Sequence, residues 1–179
     1  MKFLPVSIPG LILIEPLVYE DSRGVFMELY RHELFRDAGI DAGFVQDNFA
    51  RSTAGVLRGL HYQHPHGQGK LVFVPRGKIF DVAVDIRRGS PTFGQWYGCE
   101  LSEENHRQFW IPEGFAHGYC VLSDSADVMY KCTDYYHPEC EGTLLWNDPD
   151  IGIEWPVRKP LVSEKDVAGM RLKDVESLE

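Results

Sequence analysis

Turn-forming residues cut this chain into short apolar runs, and that spacing limits its fold more than any other feature. Seventeen glycines and eleven prolines are spread through 179 residues. The run at 71–74 stops at Pro75-Arg76-Gly77. The run at 79–86 alternates, with Phe80, Val82, Val84 and Ile86 on one face and Asp81, Ala83 and Asp85 on the other. Further runs follow at 94–101, 108–111, 118–122 and 127–136, the last placing Tyr135 and Tyr136 on alternate faces of a strand. Short strands at this spacing predict an all-β jelly-roll β-sandwich. Helical signals are few. Residues 32–38 can form a short helix closed by Gly39, and Ser163-Glu164-Lys165-Asp166 reads as a capping box. The polar stretch 170–178 reads as a terminal helix or a frayed tail. No linker, repeat or low-complexity tract divides the chain, so one domain over 1–179 is expected.

Composition removes several function classes. A 44% hydrophobic, 25% charged chain is ordinary globular material. Eighteen basic and 27 acidic side chains leave a net charge of −9, which disfavours general DNA or RNA binding. The longest apolar stretch, Leu11-Ile12-Leu13-Ile14, is closed by Glu15 and Pro16, too short for a bilayer. Met1-Lys2-Phe3-Leu4-Pro5 lacks the apolar segment of a signal peptide. Four cysteines without a C-x-x-C pair suggest reduced thiols in a cytoplasmic protein. No dinucleotide fingerprint, nucleophile elbow or H-E-x-x-H motif occurs. Gly67-Gln68-Gly69-Lys70 fails as a P-loop: His64 stands where the first glycine belongs, and Leu71 follows the lysine.

Two histidine segments carry the chemistry. Gly59-Leu60-His61-Tyr62-Gln63-His64-Pro65-His66, followed by Lys70 and Gly77, resembles the first cupin motif. Pro112-Glu113-Gly114-Phe115-Ala116-His117 resembles the second, with Val121 in place of the expected Asn. The resemblance implies a cupin-type jelly roll. In metal-binding cupins a glutamate occupies the position of Lys70. A protonated ammonium cannot ligate a metal, but it can stabilise a developing oxyanion. No metal and no cofactor are therefore expected. His64 and His66 also fit as plain loop residues.

A longer set of segments makes the resemblance specific. It comprises Phe44-Val45-Gln46-Asp47-Asn48, Val56-Leu57-Arg58-Gly59-Leu60-His61-Tyr62-Gln63, Asp81-Val82-Ala83-Val84-Asp85-Ile86-Arg87 and Ser90-Pro91-Thr92-Phe93-Gly94-Gln95-Trp96. Trp110 to Gly118, Trp146-Asn147-Asp148-Pro149, Gly152-Ile153-Glu154-Trp155-Pro156 and Leu161 to Asp166 complete it. Together they resemble the dTDP-4-dehydrorhamnose 3,5-epimerase family of metal-free cupins. That resemblance implies inversion of carbons 3 and 5 of dTDP-4-keto-6-deoxy-D-glucose, a step in dTDP-L-rhamnose biosynthesis. Such chemistry needs a base, an oxyanion stabiliser and an acid on the opposite face.

By the same resemblance His61 is the base, Asp166 its orienting carboxylate, Tyr130 the acid and Lys70 the stabiliser of the enolate. From the residues alone, Asp166 is equally a helix cap and Tyr130 a core tyrosine. The substrate-binding positions implied are Arg23, Glu28, Gln46, Asp47, Asn48, Arg58, His117, Tyr136, Glu141 and Lys165. Arg23 in Asp21-Ser22-Arg23-Gly24 also reads as a β-turn residue. The family implies a homodimer with strands exchanged between subunits, and the segment bearing Arg23, Glu28 and 46–48 is the expected donor to the partner's site. Three alternatives stay open: a mono-epimerase of another dTDP-4-keto-deoxysugar, a metal-dependent cupin using His64, His66 and His117, and a non-catalytic sugar-binding cupin.

Overall fold

The computed structural model describes residues 1–175. Thirteen short strands dominate them. β1 (Lys2–Pro5), β2 (Ile12–Glu15), β5 (Gln46–Thr53), β7 (Lys70–Arg76), β10 (Gln108–Ile111) and β12 (Ser125–Cys132) form a six-stranded sheet in the order β1-β2-β10-β7-β12-β5. β6 (Leu57–Gln63), β8 (Lys78–Asp85), β9 (Trp96–Ser102), β11 (Phe115–Val121) and β13 (Glu141–Thr143) form a second sheet in the order β13-β6-β11-β8-β9. Every strand pair in the two sheets is antiparallel. β3 (Val18–Asp21) and β4 (Gly24–Met27) pair only with each other. Among the described residues α1 (His32–Asp37) and α2 (Glu164–Val167) are the two α-helices. The expected jelly-roll sandwich with few helices is the architecture found.

The two sheets pack face to face. Val72, Val74, Phe109 and Val128 of one meet Ile79, Ala83, Leu101 and Val121 of the other in one buried cluster. β8 is buried on both faces. Its Phe80-Val82-Val84 face turns away from that interior and packs against the C-terminal segment, through Leu144, Ile151 and Leu172. The face bearing Ile79, Asp81 and Ala83 looks into the sandwich, so a carboxylate is driven into the interior.

Two sequence expectations need correction. The run at 127–136 is strand only to Cys132. Thr133 Oγ1 accepts the Gly69 N–H at 2.8 Å, and Asp134 Oδ1 accepts the Tyr135 N–H at 2.8 Å, which turns the chain out of the sheet. Tyr135 and Tyr136 therefore do not alternate on a strand. The polar tail holds a single 3₁₀ turn at Leu172–Asp174, and residues 176–178 of it lie outside the described residues.

Candidate active site

A cavity of about 340 Å³ opens between the two sheets. Arg58, His61 and Gln63 from β6, His117 and Tyr119 from β11, and Glu141 from β13 line it on one side. Gln46, Asn48 and Ala50 from β5, Lys70 from β7, and Tyr130 from β12 line it on the other.

His61 and His117 sit directly opposite each other, yet the next paired positions are Arg58 and Tyr119. β6 thus spends one residue more than β11 over this step, a β-bulge. The bulge brings Arg58 and His61, three apart, to the same cavity. Close approach of the strands makes it possible. A Cβ on Gly59, whose φ is +118°, would lie 2.6 Å from the Gly118 Cα, and one on Gly118 would lie 2.5 Å from the Arg58 carbonyl oxygen. Only glycine fits at either position.

His61 Nε2 and Asp166 Oδ1 are 2.6 Å apart, and Asp166 is buried. Burial pushes the Asp166 carboxyl up, but the hydrogen bond and charge of His61, with help from the Gly59 N–H and Ser163, outweigh it and hold the carboxyl below its ordinary range. Asp166 is therefore a carboxylate at neutral pH. It accepts the Nε2–H, which leaves the lone pair of neutral His61 on Nδ1. The cap reading also holds: the Asp166 N–H donates to Ser163 Oγ at 3.2 Å.

Lys70 is buried, with Nζ 3.5 Å from the His61 carbonyl oxygen. Burial lowers its pKa, against the pull of Cys132, Asp81 and Glu141. Among the described residues no carboxylate forms an ion pair with it. A desolvated cation without a counter-ion is ready to meet negative charge that develops on a ligand. His117 is buried against Asp81, with Nε2 at 2.9 and 3.1 Å from the two carboxylate oxygens. Burial pushes the Asp81 carboxyl up, while His117 and Lys70 pull it down. The Tyr130 ring stands edge-on to the His117 ring, with centroids 6.5 Å apart. Burial first, then nearby Cys132 and Tyr119, push its phenol up to about 12. Tyr130 thus keeps its proton across the physiological range.

The mouth of the cavity is polar. Arg58 is exposed there, its Nε–H held by Ser52 Oγ at 3.0 Å, and no carboxylate among the described residues pairs with it. An unpaired guanidinium suits phosphate oxygens. Gln46 Nε2 donates to Asn48 Oδ1 at 3.2 Å, while its Oε1 accepts the Tyr136 N–H at 2.9 Å. The Tyr136 hydroxyl donates to Glu141 at 2.8 Å, and Lys165 ion-pairs with the same carboxylate.

Three of the expected binding residues lie away from this cavity within one chain. Asp47 projects from the outer face of β5, where period-2 alternation puts it opposite Gln46 and Asn48, and it pairs with Lys131 at 3.0 Å. Arg23 is at the β3–β4 turn, paired with Asp21 at 2.6 Å. Glu28 is half-buried and paired with Arg31 at 2.7 Å. The set His64, His66 and His117 is not brought together: His64 and His66 are exposed, whereas His117 is buried. Sequence reasoning missed Asp81, Tyr119 and Gln63 as site residues. A carboxylate inside an otherwise apolar strand was the signal for Asp81. Tyr119 is buried in the cavity wall, and nothing in the sequence marks it.

The family model for dTDP-4-dehydrorhamnose 3,5-epimerase matches residues 5–174. The chain belongs to the dTDP-4-dehydrorhamnose 3,5-epimerase family. It is 53% identical over 178 residues to the dTDP-4-dehydrorhamnose 3,5-epimerase of Shigella flexneri, covering 98% of both chains. It is 56% identical over 170 residues to the Neisseria gonorrhoeae relative of the same name; there it is covered over 94% of its own length and spans about half (52%) of the relative's. Among solved structures, the dTDP-6-deoxy-D-glucose-3,5-epimerase of Legionella pneumophila Philadelphia 1 superposes with a TM-score of 0.95 at 54% identity, over 98% of this chain and 94% of that one. That epimerase was solved in complex with dTDP-4-keto-L-rhamnose. The epimerase family thus accounts for the jelly roll and for both histidine segments.

Proposed function

We propose that this chain, working as one cupin-type unit, epimerises carbons 3 and 5 of dTDP-4-keto-6-deoxy-D-glucose to give dTDP-4-keto-L-rhamnose. The observation that carries the reading is the pairing of His61, on one sheet, with Asp166 of α2, facing Tyr130 on the other sheet across a cavity that encloses Lys70. His61 Nδ1 takes the proton from the carbon beside the ketone. The electron pair moves onto the keto oxygen, where the Lys70 ammonium stabilises the enolate. The Tyr130 O–H then returns a proton from the opposite face, which inverts the centre. Both side chains recover their starting protonation by exchange with water, so no redox partner is needed. His117, fixed by Asp81, lines the sugar site. Arg58 takes the diphosphate, while Gln46, Asn48, Tyr136 and the Glu141–Lys165 pair surround the rest of the nucleotide sugar.

Arg23 and Glu28 enter the reading through a second copy. β3–β4 pairs with neither large sheet and exposes Tyr19, Val25 and Phe26, the last 71% accessible. A homodimer in which this hairpin crosses to its partner covers those side chains and carries Arg23 and Glu28 toward the partner's cavity. The reading places the enzyme in the cytoplasm, in keeping with four free cysteines. No helix among the described residues is long and apolar enough to cross a membrane.

Turnover of dTDP-4-keto-6-deoxyglucose in deuterated water tests the reaction. Deuterium at both C3 and C5 of the product is expected. Label at one carbon alone makes the enzyme a mono-epimerase and overturns the double inversion.

A further inference from the structure

The His64-Pro65-His66 segment plays no part in the epimerisation, yet it meets two further ligand-type side chains. His66 and Asp134 approach to 3.3 Å, Nδ1 to Oδ2. The imidazoles of His66 and His137 stack, with centroids 4.3 Å apart and planes inclined by 21°. One donor atom from each of His66, Asp134 and His137 lies within 4.8 Å of the other two. Metal–ligand bonds of about 2.0–2.2 Å set tetrahedral edges of roughly 3.3–3.5 Å. The His66–Asp134 edge already has that length, the other donor atoms lie within 4.8 Å, and the stacked imidazoles have to turn about their side-chain torsions to aim both lone pairs at one ion.

The supporting shell is fixed in advance. Gln63 is buried and holds the two loops together. Its Nε2 donates to the carbonyls of His66 at 2.7 Å and Tyr135 at 3.1 Å, and its Oε1 accepts the His137 N–H at 2.8 Å. Gln68 Nε2 donates to the Asp134 carbonyl at 2.9 Å. All three ligand residues are therefore anchored through their own or adjacent backbone, and only the side chains have to move. Glu139 lies beside the group, 3.5 Å from His137 Nδ1, in reach of a fourth position that water could equally fill.

We propose that His66, Asp134 and His137 bind one divalent transition-metal ion of the zinc class, at a site separate from the reaction cavity. Two imidazoles and one carboxylate suit zinc, cobalt(II), nickel or copper(II), whereas magnesium and calcium demand oxygen donors. The ion staples the 63–69 loop to the 133–140 segment. That segment also carries Tyr136 to the cavity wall, so the ion stiffens one edge of the nucleotide site without touching substrate.

The test is titration of the untagged protein with zinc chloride, followed by calorimetry and thermal unfolding. One ion per chain and a raised Tm are expected. His66→Ala and His137→Ala each weaken binding by about tenfold or more and abolish the rise in Tm. Neither residue lines the cavity, so both variants keep their epimerase turnover. Asp134→Asn, which preserves shape, repeats the loss of binding should an alanine variant unfold. Cobalt(II) provides the spectroscopic arm: d–d bands without a thiolate charge-transfer band are expected. Absence of zinc binding at micromolar concentration overturns the proposal. So does undiminished binding in His66→Ala or His137→Ala, or a thiolate band that puts the metal on a cysteine.

Discussion

Asp166 answers to two elements at once. Its backbone N–H is capped by Ser163 at the start of α2, while its carboxylate accepts from His61 on β6 and from the Gly59 N–H. In a full capping box the carboxylate reaches back to the cap residue; here it is turned to the imidazole instead. The cap fixes the backbone and the histidine uses the charge. Asp166→Asn keeps the shape but removes the charge that stabilises the imidazolium, and turnover is expected to fall on the order of 10³-fold. Ser163→Ala loses about 1 kcal/mol of stability and far less activity. Steady-state kinetics alongside urea unfolding separates the two effects. The proposed base and the proposed acid are separable as well. His61→Ala stops both inversion and exchange of substrate C–H protons with solvent. Tyr130→Phe keeps His61 and Lys70, so the exchange persists while inversion is lost. NMR of the substrate in deuterated water reads both, and full inversion by Tyr130→Phe would remove that residue from the acid's role. Sequence alone shows Asp166 as a cap and Tyr130 as a strand tyrosine. Their partners are 105 residues away for Asp166 and across the sandwich for Tyr130, distances that no local pattern encodes.

Strand periodicity is legible in this sequence, and its interruptions are not. Six of the strands, β7 to β12, follow from runs bounded by turn-forming residues, and α1 and α2 from their own boundary residues. A period of two, however, puts Arg58 and His61 on opposite faces. The β6 bulge puts them in one cavity, and its cause, the contact of Gly59 with Gly118, joins strands distant in sequence. Gly118→Ala forces a Cβ to 2.5 Å from a backbone oxygen that cannot rotate away. A loss of about 2–4 kcal/mol in urea unfolding is expected, with activity reduced in whatever protein still folds. The end of β8 carries a second device. Asp85 is buried, and burial pushes its carboxyl up; the side-chain donors Arg87, Ser90 and Thr92 overcome this and bring it down to about 2. Its ordinary value is 3.8, so the stabilisation is complete above about pH 4 and disappears as pH falls through about 2. The difference corresponds to about 2 kcal/mol. Asp85→Asn should lose about that much at neutral pH and should flatten the acid limb of the stability profile in that window. An unchanged limb would assign the acid sensitivity to other carboxylates.

At the scale of the molecule, a net charge of −9 has to coexist with an anionic nucleotide. Within one chain, the cavity offers Arg58 and the buried Lys70, with Lys165 neutralised by Glu141. Arg23 sits on a hairpin that leaves its own sandwich bare, with Tyr19 and Phe26 exposed. The outer face of the six-stranded sheet leaves Phe49 and Met129 exposed in the same way. The homodimer proposed above would cover this apolar surface and supply a cation to the diphosphate in one arrangement. Subunit complementation tests that arrangement directly. Arg23→Ala and His61→Ala homodimers should both be impaired, the first in KM and the second in turnover. After mixing and reassembly, a cavity with its own His61 and an arginine from the His61→Ala partner is intact. With random assortment, about a quarter of the sites recover. If Arg23 served its own chain, mixing would restore nothing, because every cavity would lack either the base or the arginine. Recovery that follows the rate of subunit exchange is therefore the expected result, and a flat time course would confine the site to one chain.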